Sequence, residues 1–365
     1  AIGYQAGYSH TSNNSVFIGH NAARTTTSTA YNTAVGFAAL YSTTTGEYNI
    51  AIGRSSLYAN TTGASNVSIG ALAMLGNTTG SNNTAVGDGV LTANTTGNNN
   101  SAFGAGALIY NTTGTDNTAV GYQALFSNTI GIYNTAVGTG AGYTNSSGHI
   151  TAFGAKALAS NTTGVRNVAV GGEQFGIQGG ALANNTIGVD NVAVGVGALT
   201  TNTTGGNNVA FGTNALSVST TASYNVALGR SALTSNTTGA NNTVVGYQAG
   251  YSNTVAAQNT YIGTQAGYSS VTGDYNLFIG YKAGYTSNPA AGFYGNTCVG
   301  AFAGYSLTTG LNNTLVGGLN TGGTAGAGYL ITTGSKNTVI GSYNGNQGGL
   351  DIRTASNYIV LSDGD

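Results

Sequence analysis

The stretch Asn117-Thr118-Ala119-Val120-Gly121-Tyr122-Gln123-Ala124-Leu125-Phe126-Ser127-Asn128-Thr129-Ile130-Gly131-Ile132-Tyr133 decides the fold, because the chain repeats it with small changes along nearly its whole length. Gly121 belongs to a series that begins Gly3, Gly19, Gly36 and ends Gly300, Gly317, Gly341. Of the nineteen intervals in that series, fourteen are 17 residues, two are 16, one is 20 and two are 24. Self-similarity at so short a period marks a stacked-repeat architecture. Seventeen residues are too few for a helical hairpin with its turns. The run Thr-Ala-Val, bounded by Asn and Gly, reads as a short strand between turns. The single Pro289 fits this, since proline cannot donate to a strand ladder.

One repeat therefore reads as one coil of an all-β solenoid, or β-roll. Each coil has a strand at N-T-A-V-G, a bend at the glycine, a second short strand near A-L, and a turn at N-T-T-G. At the spacing of neighbouring strands, about twenty coils predict a rod of roughly 95 Å. Residues 1–341 form the repeat shaft, and 342–365 read as a C-terminal capping segment leading to a downstream domain.

The columns say more than the period. Asn stands four residues before the glycine in 17 of 19 repeats; Ser15 and Ile150 are the exceptions. Stacked Asn side chains can bond along an axis, and Asn tolerates tight turns, so this column predicts a structural ladder. The residue just before each glycine is apolar, as in Val35, Ile52, Phe103 and Val120, and is expected to line the coil's interior. The residue before that one then faces the other way. It is Ala in twelve repeats and larger in seven: Phe17, Val244, Tyr261, Phe278, Cys298, Leu315 and Val339. A strand apolar on both faces is buried on both. The expectation is an oligomer packed along its length, with Ala34, Ala51, Ala85, Ala102, Ala119, Ala136, Ala210, Tyr261, Phe278 and Leu315 at the interface. The bulkier residues after Val244 suggest chains standing further apart there.

Composition closes off several classes. Charged residues are 5% of the chain, against about 25% in ordinary domains. Disorder is opposed by 40% apolar residues and 23 tyrosines. A net charge of −1 gives no footprint for nucleic acid. No run of 18 apolar residues predicts insertion in a membrane. The lone Cys298 excludes an intramolecular disulfide.

The N-T-A-V-G core with its following turn resembles the head repeats of trimeric autotransporter adhesins. That resemblance implies a left-handed β-roll around a threefold axis, and so an intertwined or side-by-side homotrimer, although the family's usual coil is shorter. The strings G-Y-Q-A-G-Y-S, at Gly246–Ser252, and A-L-T-S-N-T-T-G, at Ala232–Gly239, are more similar to repeats of bacteriophage tail fibres. The closing Asn357-Tyr358-Ile359-Val360-Leu361-Ser362-Asp363-Gly364 looks like the segment that precedes a self-cleaving chaperone domain in such fibres. The resemblance implies a virion or extracellular location. It also implies partnership with other virion tail proteins and with a host cell-surface glycan or protein.

Chemistry is sparse. Glycosidases need two carboxyls about 5 to 9.5 Å apart. Of the nine carboxylates, Asp116 and Asp190 share a column but lie four coils apart, about 19 Å. Arg166 and Asp190 read as surface decoration. His10, His20 and His149 are scattered, and no cluster has metal-ligand spacing, so neither enzyme nor metal nor cofactor is expected. Two features point to recognition. Insertions that break the period map to surface loops. They supply Glu173, Gln174 and Phe175; Pro289, Phe293 and Tyr294; and Asn320 and Tyr329 as receptor-binding candidates. A tyrosine column five residues after the glycine adds Tyr251, Tyr268 and Tyr285. The expectation is the structural shaft of a phage tail fibre that positions, and contributes to, receptor binding. The alternatives are a bacterial trimeric surface adhesin and, from paired residues such as Thr61 and Thr62, an ice-binding solenoid.

Overall fold

In the computed structural model every regular element is a β-strand, among the described residues 1–27, 30–173, 179–289, 295–319 and 325–362. The chain divides into two compact units. One comprises Ala1–Phe175 with Ala183–Ile187, and the other Gly176–Leu182 with Gly188–Asp365. The first 24-residue interval falls at the division.

The first unit carries ten strands of three residues, from Val16–Ile18 and Thr33–Val35 to Thr151–Phe153 and Val168–Val170. They pair in parallel, each with the next along the chain. The register advances one repeat at a time: Thr118 faces Thr135 and Ala119 faces Ala136. The second unit does the same from Val192–Val194 to Thr338–Gly341. Its sheet runs on into the expected capping segment. After a small antiparallel hairpin, Asn346–Gln347 with Leu350–Asp351, the closing strand Ile359–Ser362 pairs with Thr338–Gly341. Each unit is a parallel β-solenoid with coils of about 17 residues.

Glycine ends each strand because the chain must turn where the next coil lies close. Gly121 has φ +135°, and a Cβ there would stand 2.6 Å from the carbonyl oxygen of Gly138. That is a position only glycine fills without strain. Beyond it the expected second strand does not form. Alternate residues turn left-handed instead, as at Gln123 (φ 55°) and Leu125 (φ 50°). A non-glycine residue there costs roughly 1–2 kcal/mol. Backbone bonds to the adjacent coil offset that cost: Leu125 N–H donates to Ala141 O at 2.9 Å, and Ser127 N–H to Tyr143 O at 2.9 Å.

Two buried Asn columns hold the coils in register. Asn100 Oδ1 accepts from the backbone N–H of Asn117 at 3.1 Å, while Asn100 Nδ2 donates to Gly114 O at 2.9 Å and to Asn83 Oδ1 at 3.1 Å. A second column runs through the N-T-T-G turns, where Asn94 Nδ2 donates to Asn77 Oδ1 at 2.8 Å and to Gly97 O at 3.0 Å. A buried amide left unpaired would cost about 1–3 kcal/mol, so these ladders hold only with every coil in step.

The structure reverses the expected sides of the strand. Ala34, Ala51, Ala85, Ala102, Ala119, Ala136 and Ala210 are fully buried inside their own chain, as are Tyr261, Phe278 and Leu315. They form the solenoid's core and offer no surface to another chain. The residue before the glycine points outward instead. Alternation fixes which residues share a face but not which face is inside. The narrow interior settles that: Ala beside a buried Leu, such as Leu125 or Leu158, fills it. The larger residues after Val244 are housed inside too. Opposite them the Leu column changes to glycine, at Gly250, Gly267, Gly284, Gly304 and Gly328. A Cβ on Gly284 would meet the Phe278 ring at 2.6 Å, and one on Gly304 would meet Cys298 Sγ at 2.6 Å. Those residues therefore do not signal wider spacing between chains.

Candidate functional site

The coils present two features outward. The first is the strand's outer face, where β-branched and aromatic residues alternate with the buried Ala. Along it Phe103 is 42% exposed, Phe153 51% and Phe211 58%, with Ile18, Ile52, Val120, Leu228, Ile262 and Ile340 also exposed. Thr118, Thr135, Val192 and Val209 lie beside them, half-buried. Nothing in the sequence marks this face as a surface, because an apolar column ordinarily lines an interior.

The second is the tyrosine column. In the second unit Tyr251, Tyr268, Tyr285, Tyr305 and Tyr329 stack one above another, with ring centroids 4.9 to 5.2 Å apart and planes 4 to 12° apart. Tyr329, expected on an insertion loop, is the last rung of this ladder. The stack forms because ring spacing matches the distance between coils, so each ring meets its neighbour without a change of rotamer. Partial burial, then the neighbouring tyrosines, push the Tyr268 phenol above its ordinary pKa. Lys282 Nζ lies 5.3 Å from both the Tyr281 and Tyr285 ring centres, and Gln265 Nε2 donates to Gln248 Oε1 at 3.0 Å beside the stack. Shorter stacks occur in the first unit, Tyr41 on Tyr58 at 5.0 Å and Phe126 on Tyr143 at 4.8 Å.

The insertion residues fare differently. Glu173 pairs with Lys156, Oε2 to Nζ at 2.9 Å, both partly exposed. Pro289 is buried, and a Cβ on Gly273 would meet its ring, so it is a packing residue rather than a contact surface. Gln174, Phe175, Phe293, Tyr294 and Asn320 lie outside the described residues. The paired threonines divide their work. Thr61 Oγ1 donates to Thr78 O at 3.0 Å and Thr78 Oγ1 to Thr95 O at 3.0 Å, while Thr62 and Thr79 stand exposed.

Among the described residues, no group of three or more His, Cys, Asp or Glu side chains is placed to hold a metal ion. No helix among them is long and apolar enough to cross a membrane. Burial pushes the Cys298 thiol far above its ordinary pKa, which leaves it a packing group. Asp351 is held down to about 2 by its bonds to Arg353.

Fold and surface together define a β-solenoid repeat protein. No protein-family model, curated protein or solved structure matches the chain.

Proposed function

We propose that this chain is a structural shaft: a homotrimeric, extracellular segment of a bacteriophage tail fibre that positions receptor-binding parts at the host surface. The observation that carries the proposal is the apolar outer face of the strands, present in every regular coil of both units. Monomeric soluble proteins rarely expose apolar patches beyond a few hundred Å². A core already completed by Ala, Leu and the Asn ladders does not need that face, so its natural cover is the same face of another copy. The interface thus belongs one residue along from the Ala column, on Val35, Ile52, Phe103, Phe153, Phe211 and their equivalents. The register of the inner ladders makes the solenoid stiff, which suits a spacer.

The rival reading is a bacterial surface adhesin built from the same coils. Immunogold labelling of virions and of cells, with antibody to this chain, separates the two. Gold along virion tails is the expected result; gold on the outer surface of uninfected cells would replace the fibre with the adhesin. Ice binding is less well supported, because the first threonine of each pair spends its hydroxyl on the next coil's backbone.

A further inference from the structure

In the first unit the position five residues after the glycine is aromatic only in short runs, and the last of them ends at a small residue. Phe126 and Tyr143 stack at 4.8 Å with planes 4° apart, but the next residue of the column is Ala159. That the two coils adjoin is clear from Thr144, whose N–H and Oγ1 both donate to Ala159 O at 3.0 Å. A second side chain is missing beside the gap. In the neighbouring column Gly140 stands between Gln123 and Lys156. The two omissions open a groove of about 480 Å³, lined among others by Tyr122, Gln123, Tyr143, Lys156, Ala159 and Ser160. By contrast, each gap between rungs of the Tyr251–Tyr329 stack is filled by the next ring.

We propose that this groove binds a neutral hexopyranose, which stacks on Tyr143 in the place of the missing rung. The coil spacing of about 4.8 Å sets the ladder distance at which a saturated ring would lie on the tyrosine. The π face is negative and attracts the C–H groups of a sugar's apolar face. A galacto-configured ring suits it best, because its axial O4 leaves H3, H4 and H5 together on one side. The rim supplies hydroxyl and amide partners from Tyr122, Gln123 and Ser160. An aromatic floor with a few convergent polar groups is the usual make-up of a small-molecule site of this size. Charge favours a neutral ligand. Lys156 is already compensated by Glu173 at 2.9 Å, so an anionic sugar would have to displace a carboxylate to reach it. The site does not rest on the fibre reading.

The test is saturation-transfer NMR on the full chain with millimolar methyl β-galactopyranoside, with methyl β-galacturonate measured alongside. Transfer should be strongest at H3, H4 and H5 of the galactoside. It should fall to the level of sugar alone in Ala159→Tyr, which completes the stack with a residue the column accepts elsewhere. Tyr143→Ala, which removes the floor, should abolish it as well and guards against a folding defect in the first variant. Asp351→Asn, outside the groove, should leave it unchanged. No transfer to the native chain, equal transfer in Ala159→Tyr, or stronger transfer to the galacturonate would overturn the proposal.

Discussion

The coils around Ala119 and those around Phe278 share one backbone path but fill it in opposite ways. In the first, a small Ala on the strand faces a large buried Leu four residues after the glycine, as Ala119 does with Leu125. In the second, the strand carries Tyr261 or Phe278 and the facing position is Gly267 or Gly284. Leu125 and Gly284 even share the left-handed backbone, with φ 50° and 57°. What the solenoid holds constant is interior volume, not the identity of either residue, as close packing requires. The exchange reaches neighbouring columns. The Tyr261 hydroxyl donates to Ser270 Oγ at 2.8 Å, and Ser270 replaces the Asn of the turn ladder there. Tyr261 and Phe278 then stack inside the core at 5.2 Å.

The comparison breaks most sharply at Gly284. Gly284→Leu alone should destabilise its unit by about 3 kcal/mol, since the added side chain meets Phe278 with no room to shift. Pairing it with Phe278→Ala converts the coil to the other type and should recover most of the loss. Urea melts of the four proteins in the cycle would show coupling above about 1 kcal/mol. Additive effects would mean that the two columns do not share a cavity.

The Asn ladder is common to both kinds of coil and should matter in both. Asn100→Ala strips the partners from Asn117 N–H and Gly114 O, at a cost of about 2–3 kcal/mol. Because stacked repeats can open locally, amide hydrogen exchange at Asn117 is the better readout than a global melt. Protection equal to wild type would refute the ladder's role.

Smaller effects come from the surface. Tyr268→Ala removes two stacking contacts from a half-buried ring and should cost about 1–2 kcal/mol. A Phe126→Ala change in the first unit removes one face-to-face stack, with Tyr143, and one edge contact, with Tyr110, and should cost somewhat less. Smallest is the exposed Asp351–Arg353 pair. The carboxyl pKa is depressed in the fold, so the pair's contribution is present above the ordinary carboxylate pKa and fades as pH falls toward about 2. An NMR titration of Asp351 should show a midpoint near about 2, and Asp351→Asn should lower the melting temperature slightly at neutral pH and not at all near pH 2. A midpoint at the ordinary value of 3.8 would show that the ion pair does not form in solution.

Much of this was legible in the residues alone. The period, the parallel coil and the Asn ladder follow from glycine and asparagine, whose special backbone and side-chain demands leave few alternatives. Inside and outside did not follow. Val120 and Ala119 are both apolar, alternation gives only parity, and the smaller residue proved to be the core because the coil's interior is narrow. The strand expected near Ala124 and Leu125 failed for a related reason. Nothing in Ala or Leu announces a left-handed backbone, which inter-coil hydrogen bonds impose. The exchange of Leu for Gly opposite Tyr261 and Phe278 was visible in the strings A-G-Y and A-L, but it acquires meaning only once the two columns are known to touch. The groove at Tyr143 shows in the sequence only as two absences, Gly140 and Ala159.

The central claim is that the outward column of Val, Ile and Phe is covered by other copies of the chain. Light scattering across a range of concentrations tests it most directly. A stable species at three times the 36.1 kDa chain mass is expected, shifting toward smaller species when Phe103, Phe153 and Phe211 are replaced by serine. A particle of 36.1 kDa at every concentration would contradict it and leave the apolar face without an occupant.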